Sequence, residues 1–131
     1  MKKVLLGLSV VFIISCSSNN EQVSIVKSDL LKRNITQDKL SEMNFDVVKI
    51  KGKDAYKAMF DKLAKEHEDL SNVQDMNGTT KVMQKIDTLS LSFDKIKSKD
   101  YYKVHSYIIE KDTAFSEVYF LTDKNTIYGF K

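Results

Sequence analysis

The stretch Tyr101-Tyr-Lys-Val-His-Ser-Tyr-Ile-Ile-Glu110 carries the pattern that decides the fold. Its side chains separate into two alternating sets, which is typical of a β-strand. A turn at 111–114 leads to a second strand at 117–122, and a short connection at 123–125 leads to a third at 126–130. Strands this close in sequence can be joined only by hairpins, so the pattern predicts an antiparallel sheet.

Two further strands are predicted upstream. Residues 45–51 are β-branched in the middle and are closed by Gly52. Residues 89–93 alternate apolar and polar side chains, since Leu89, Leu91 and Phe93 are separated by serines. The sheet is therefore expected to have about four to five strands.

The clearest predicted helix covers residues 54–70, with Asp54 as its N-cap. Its apolar side chains recur three and four residues apart and form one stripe: Tyr56, Met59, Phe60, Leu63, Ala64, His67 and Leu70. A turn is expected at Asn77-Gly78, and then a short helix at 80–86, with a strand as the competing interpretation. Residues 23–43 fit a strand start as well as short helices.

Together these elements predict an α+β domain, with N-terminal helices packed on one face of an antiparallel sheet. This order of elements loosely resembles that of cystatin-like and NTF2-like domains. The resemblance implies a curved sheet wrapped around a helix.

The first residues of the chain have the pattern of an export signal. Two lysines precede an unbroken apolar run at 4–14. A helix that spans a bilayer needs about 20 apolar residues, so this run is too short for a permanent anchor.

The end of that run, Ile13-Ile14-Ser15-Cys16, resembles the lipobox of bacterial lipoproteins. The resemblance implies cleavage between Ser15 and Cys16, a diacylglyceryl group on Cys16 and an added acyl chain, such as palmitate, on its amino group. It divides the chain into a cleaved signal peptide at 1–15, the acylated cysteine with a short tether at 16–22, and one domain at 23–131. The expected location is the cell membrane. Ser17 favours the outer membrane over the inner one.

Composition excludes several classes of protein for the exported domain. Cys16 is the only cysteine, so disulfides, thiolate metal sites and cysteine nucleophiles are not expected. The net charge of +3 falls to +1 without Lys2 and Lys3, which does not suit a nucleic-acid binder. Phosphate-binding loops and hydrolase or metalloprotease motifs are missing from the sequence. We therefore expect no catalytic residues, metal or cofactor.

The remaining candidate site residues lie on the predicted sheet. A binding surface is expected from aromatic side chains that share one sheet face, because tyrosine suits recognition surfaces; its members are Tyr101, His105, Tyr107, Tyr119 and Tyr128. The alternative is that these residues stabilise the sheet as cross-strand pairs. Four lysines cluster around one end of the sheet and are expected to form a solvated rim or to face anionic headgroups: Lys95, Lys97, Lys99 and Lys103.

The sequence thus predicts a membrane-anchored, non-catalytic binding protein of the cell envelope, whose partner is an envelope protein or a small ligand. One alternative is an immunity or inhibitor lipoprotein that acts against a toxin or an envelope hydrolase. Another is a small NTF2-like enzyme that uses His105 or His67. The enzyme alternative requires a deep pocket between helix 54–70 and the sheet, with a histidine beside a carboxylate inside it.

Overall fold

The computed structural model describes residues 20–109 and 115–129. Its elements in chain order are α1 (residues 20–32), α2 (Gln37–Glu42), β1 (Asn44–Lys51), α3 (Gly52–Asn72), α4 (Met76–Leu91), α5 (Phe93–Lys97), β2 (Asp100–Ile108) and β3 (Phe115–Thr122). The α+β class is confirmed. The predicted signal peptide, Cys16 and the turn at 111–114 lie outside the described residues.

The described strands form one antiparallel sheet of order β1-β2-β3. The strands predicted at 45–51, 101–110 and 117–122 are confirmed within the described residues. Three strands are present there, against the four to five expected. Residues 126–129 contribute a single bridge, Leu121 to Ile127, after a turn in which Asn125 has a φ of 57°.

Helices cover both faces of this sheet, although the sequence predicted one. The core between the sheet, α1 and α2 contains Val26, Leu30, Leu40, Met43, Val104, Ile108, Tyr119 and Leu121. The core between the sheet and α3, α4 and α5 contains Ala55, Met59, Leu63, Val82, Leu89, Ile96, Tyr101 and Phe120. The central strand β2 therefore supplies side chains to both cores, in alternation.

The predicted strand at 89–93 is wrong, and the strand alternative for 80–86 is wrong as well. Leu89 and Leu91 end α4, and Phe93 begins α5. The physical reason is that Leu89 also belongs to a helical pattern. Val82, Leu89 and Ile96 are spaced seven residues apart, and all three are buried. Leu91, which strand alternation would bury, is 88% exposed.

Helix α3 confirms the predicted helix at 54–70 but begins earlier, with Lys51 instead of Asp54 at the N-cap. Gly52 is buried at this junction, where β1 turns directly into α3. A Cβ atom on Gly52 would overlap the carbonyl oxygens of Ile96 and Lys99. Glycine thus permits the close approach of α3 to the end of α5.

The break between α3 and α4 precedes the predicted turn at Asn77-Gly78, which lies in the first turn of α4. Gln74 adopts a left-handed conformation with a φ of 58°. The Asp75 amide donates to the Leu70 carbonyl, which closes α3 in a Schellman arrangement. The Asp75 carboxylate then accepts from the Gly78 amide and caps α4.

Residues 23–32, which fitted either a strand start or a helix, are helical. Residues 20–22, placed in the tether by the sequence, also lie in α1, and Gln22 is 2% exposed. Residues 20–22 therefore belong to the domain and not to the expected tether. None of the helices within 20–109 and 115–129 is both long enough and apolar enough to cross a bilayer.

Candidate functional site

One concave surface in the described part of the chain lies along the outer edge of β3. A cleft of about 680 Å³ runs between α3 and the end of α1, and a smaller one of about 200 Å³ adjoins it. We call the joined space the edge cleft; both of its parts are lined by Arg33, Lys62, Lys85 and Glu117. Concave surfaces with convergent polar groups are the usual positions of binding sites.

Arg33 reaches the edge cleft because of the way in which α1 ends. The last helical residue is Lys32, and Asn34 adopts a left-handed conformation with a φ of 68°, so that Arg33 is the C-cap. The amides of Asn34 and Ile35 donate to the carbonyls of Leu31 and Leu30 and complete a Schellman cap. Arg33 is the only arginine among the 21 basic residues of the chain.

The guanidinium of Arg33 is held by a chain of hydrogen bonds. Its Nη1 donates to the Tyr119 hydroxyl at 3.0 Å, and that hydroxyl donates to Asp29 Oδ2 at 2.8 Å. Burial and the hydrogen bond to Asp29 raise the pKa of Tyr119 to about 12, while Arg33 opposes the rise. The hydrogen bond to Tyr119 raises the pKa of Arg33. Tyr119 therefore stays protonated at neutral pH and orients the arginine.

Lys62 and Glu117 form the centre of the site. Lys62 Nζ donates to the Val118 carbonyl at 2.6 Å and lies 3.2 Å from Glu117 Oε1. The same Oε1 atom lies 3.8 Å from Arg33 Nη1. Glu117 thus links α3, on one side of the sheet, to α1 on the other, across the edge strand.

Cationic side chains outnumber anionic ones where the two parts of the edge cleft meet. The shared lining consists of three cations and one carboxylate. Lys85 is half-buried and has no ion-pair or hydrogen-bond partner among the described residues. This arrangement favours a ligand with a negatively charged group, which Lys85 would pair.

The five residues of the predicted binding surface do not form one surface. Tyr119 lies opposite Val104 and is buried in the α1 core, whereas Tyr101 is buried in the α3 core. Tyr128 contacts Tyr101 edge to face at 6.2 Å. His105 and Tyr107 are both half-buried and lie side by side, with ring centroids 4.9 Å apart.

Neither histidine occupies the position that the enzyme alternative requires. A cleft of about 530 Å³ does lie between α3 and the sheet, but His67 and His105 are not among its lining residues. His105 Nε2 instead lies 2.7 Å from the Ser116 hydroxyl on the neighbouring strand. Within the described ranges, no three histidine, cysteine or carboxylate side chains are close enough to share a metal ion.

Of three aromatic residues assigned by the sequence to buried positions, Phe60 and Phe93 lie at the surface, whereas Tyr56 is half-buried against the α3 core. Tyr56 is 4.8 Å from Phe93 and 6.4 Å from Phe60 between ring centroids. Phe60 and Phe93 are 39% and 36% exposed. The stripe of α3 is thus wider than the face that it buries.

Sequence reasoning missed the edge cleft, although one signal was present. The signal is Arg33 itself, since lysine occupies the other 20 of the 21 basic positions. Arginine offers a planar set of donors that suits a fixed polar network. Comparison with protein-family models, curated proteins and solved structures gives no match to this chain.

Proposed function

We propose that this chain is a lipid-anchored, non-catalytic binding protein of the bacterial cell envelope, and that its partner docks in the edge cleft. The anchor is proposed from the lipobox-like segment ending at Cys16. The binding role rests on the cluster of Arg33, Lys62 and Lys85 where the two parts of the edge cleft meet, beside one carboxylate, Glu117. Over the whole cleft, Lys65, Glu66 and Asp69 are added, and the surplus is one positive charge. The favoured location is the outer membrane.

The supporting geometry suits recognition of an acidic group on a partner protein. Arg33 and Lys62 are already oriented by neighbouring groups, so binding requires little ordering of these side chains. Lys85 is half-buried, and a charge-assisted hydrogen bond to a partner carboxylate would satisfy it. Leu70 and Val73 line the wider part of the cleft and provide apolar contact area.

Site-specific cross-linking in cells tests the binding role. A photoreactive residue at Val73, which lines the cleft and is 72% exposed, should give a discrete adduct. Lys85→Glu should reduce this adduct at least tenfold by like-charge repulsion. The matched control is Lys81→Glu on the same helix, where the side chain is exposed and does not line the cleft. Equal adduct yields in the two variants would argue against this site.

The anchor is tested separately with Cys16→Ala. Replacing the cysteine should abolish detergent-phase partitioning and processing that is sensitive to globomycin, because both depend on the acylated thiol. Unchanged membrane association in this variant would refute the lipid anchor. The role of the edge cleft would not be affected, because the cross-linking experiment tests it separately.

A further inference from the structure

The start of α1 is fixed to one end of the sheet. Gln22 Nε2 donates to Asn125 Oδ1 at 2.8 Å, and Asn125 lies in the turn that follows β3. Gln22 is 2% exposed, so this contact belongs to the folded domain. Asn20 is four residues from Cys16, and four residues span at most about 14 Å. The proposed lipid anchor therefore lies close to this end of the sheet.

Lysines gather at the same end. The pairs Lys51–Asp100 and Tyr101–Thr122 in the strand register place the end of β1, the start of β2 and the end of β3 together. We call this region the lysine end; its lysines are Lys49, Lys51, Lys53, Lys95, Lys97, Lys99 and Lys124, and its carboxylates are Glu21, Asp54, Asp94, Asp100 and Asp123. Cations thus outnumber anions there by two.

Ion pairing within the domain leaves part of this positive charge available. Asp100 lies 3.9 Å from Lys49 and 3.4 Å from Lys51, and Asp94 lies 2.6 Å from Lys97. The other four lysines are exposed and have no ion-pair partner among the described residues: Lys53, Lys95, Lys99 and Lys124.

Three of these four lysines converge on a recess of about 350 Å³. Lys95, Lys99 and Lys124 line it, together with the hydroxyl-bearing residues Ser92, Tyr101, Thr122, Thr126 and Tyr128. The three ammonium groups around this small recess match the acceptor oxygens of a phosphate group. The Ser92 hydroxyl already donates to the Thr88 carbonyl, and the hydroxyls of Thr122 and Thr126 bond to each other. Asp100 and Asp123 also line the recess, so the local surplus is one positive charge.

We infer that the lysine end faces the bilayer and that its recess takes the phosphate of an anionic phospholipid headgroup. This inference rests on the lipid anchor proposed above, which holds the lysine end near the headgroups. Charges so close to the surface lie within about one or two Debye lengths of it at physiological salt. Each lysine near an anionic leaflet contributes roughly a fivefold preference for it.

Amine labelling of the full processed chain tests this orientation. The protein is reconstituted in vesicles of phosphatidylcholine alone or with phosphatidylglycerol, and acetylation of each lysine is followed by mass spectrometry. With phosphatidylglycerol, Lys95, Lys99 and Lys124 should be acetylated at least threefold more slowly, and 1 M salt should remove most of the protection. Lys32 and Lys81, which are exposed on α1 and α4, serve as internal controls and should not change.

Equal labelling rates in the two vesicle types would overturn the inference. Protection of the same three lysines by millimolar inorganic phosphate without vesicles would also overturn it, because the recess would then be a general anion site. Retention on phosphatidylcholine vesicles reports the anchor alone, so failure of the anchor and failure of the lysine end are distinguishable.

A pair of matched variants provides a second readout. Lys99→Gln with Lys124→Gln should reduce flotation of the unacylated full chain with phosphatidylglycerol vesicles roughly tenfold or more. Lys32→Gln with Lys81→Gln should leave flotation unchanged, since both lysines lie outside the lysine end. Equal losses in the two double variants would indicate attraction by overall charge and would overturn a specific membrane-facing end.

Discussion

The hydroxyl of Tyr119 donates a 2.8 Å hydrogen bond to Asp29, 90 residues away in the sequence, and in doing so joins β3 to α1. The same hydroxyl accepts from Arg33 at 3.0 Å. One phenol therefore orders the acidic and the basic group at this end of α1. Its protonation state determines whether both hydrogen bonds can exist.

Stability at high pH should depend on Tyr119. Its pKa rises, mainly through burial, from about 10 to about 12, so the folded state retains the proton more tightly than the unfolded state. This contribution is fully present below pH 10 and is lost as the pH rises through 12. Tyr119→Phe should cost about 1–2 kcal/mol at pH 8 and should make the loss of stability between pH 8 and 11 shallower.

Urea unfolding at the two pH values measures this difference. An unchanged pH dependence in Tyr119→Phe would contradict the assignment, because the titrating group would then lie elsewhere.

Truncation of Leu89 and Leu91 distinguishes the helix from the predicted strand. Strand alternation would bury both leucines equally, whereas in α4 Leu89 is fully buried and Leu91 is 88% exposed. Leu89→Ala should therefore cost about 2–5 kcal/mol, and Leu91→Ala should change stability by less than about 0.5 kcal/mol. Thermal or urea unfolding of the two variants side by side is sufficient. Similar losses would favour a strand at 89–93.

Gly52 should not tolerate a side chain. An added Cβ would meet backbone oxygens of Ile96 and Lys99, which cannot move aside as a flexible side chain would. Gly52→Ala should destabilise the domain by about 2–3 kcal/mol through overpacking. Gly129→Ala is the matched control, because a Cβ there would have no atom within 4 Å. A neutral Gly52→Ala would show that α3 and α5 are not in close contact.

The ion pair between Lys62 and Glu117 should contribute little to stability, and replacing Lys62 should cost more than replacing Glu117. Their side chains are 33% and 25% exposed, so solvent screens the pair, and a double-mutant cycle should give a coupling of about 0.5–1 kcal/mol. Lys62→Met should cost more than Glu117→Gln, because it also leaves the Val118 carbonyl without its donor. The reverse order would indicate that the Lys62 hydrogen bond to the backbone contributes little.

The sheet and α3 could be predicted because their patterns are local. Alternation at Val104, Ser106 and Ile108 depends on neighbours two residues apart, and the stripe of Met59 and Leu63 on neighbours four residues apart. At Leu89 two local patterns competed, a period of two with Leu91 and a spacing of seven with Val82 and Ile96. Only the packing of α4 against α3 decides between these patterns.

The candidate site could not be predicted in the same way. Arg33 meets residues 84 and 86 positions away, and no local spacing reports such a contact. The placement of the tyrosines could not be predicted for a related reason, because Tyr101 and Tyr119 were expected to share a face of the sheet. The register between β2 and β3 places Tyr119 opposite Val104, on the other face from Tyr101.

The double use of β2 has a thermodynamic consequence. Tyr101 of this strand lies in the core beneath α3, and Val104 lies in the core beneath α1. If the helices on either face of the sheet unfolded, one face of β2 would be exposed to water. The hydrogen bonds of β2 to β1 and β3, which position the other core, would then be weakened. Neither layer can therefore persist as an independent folding unit, and the domain should unfold in a single cooperative transition.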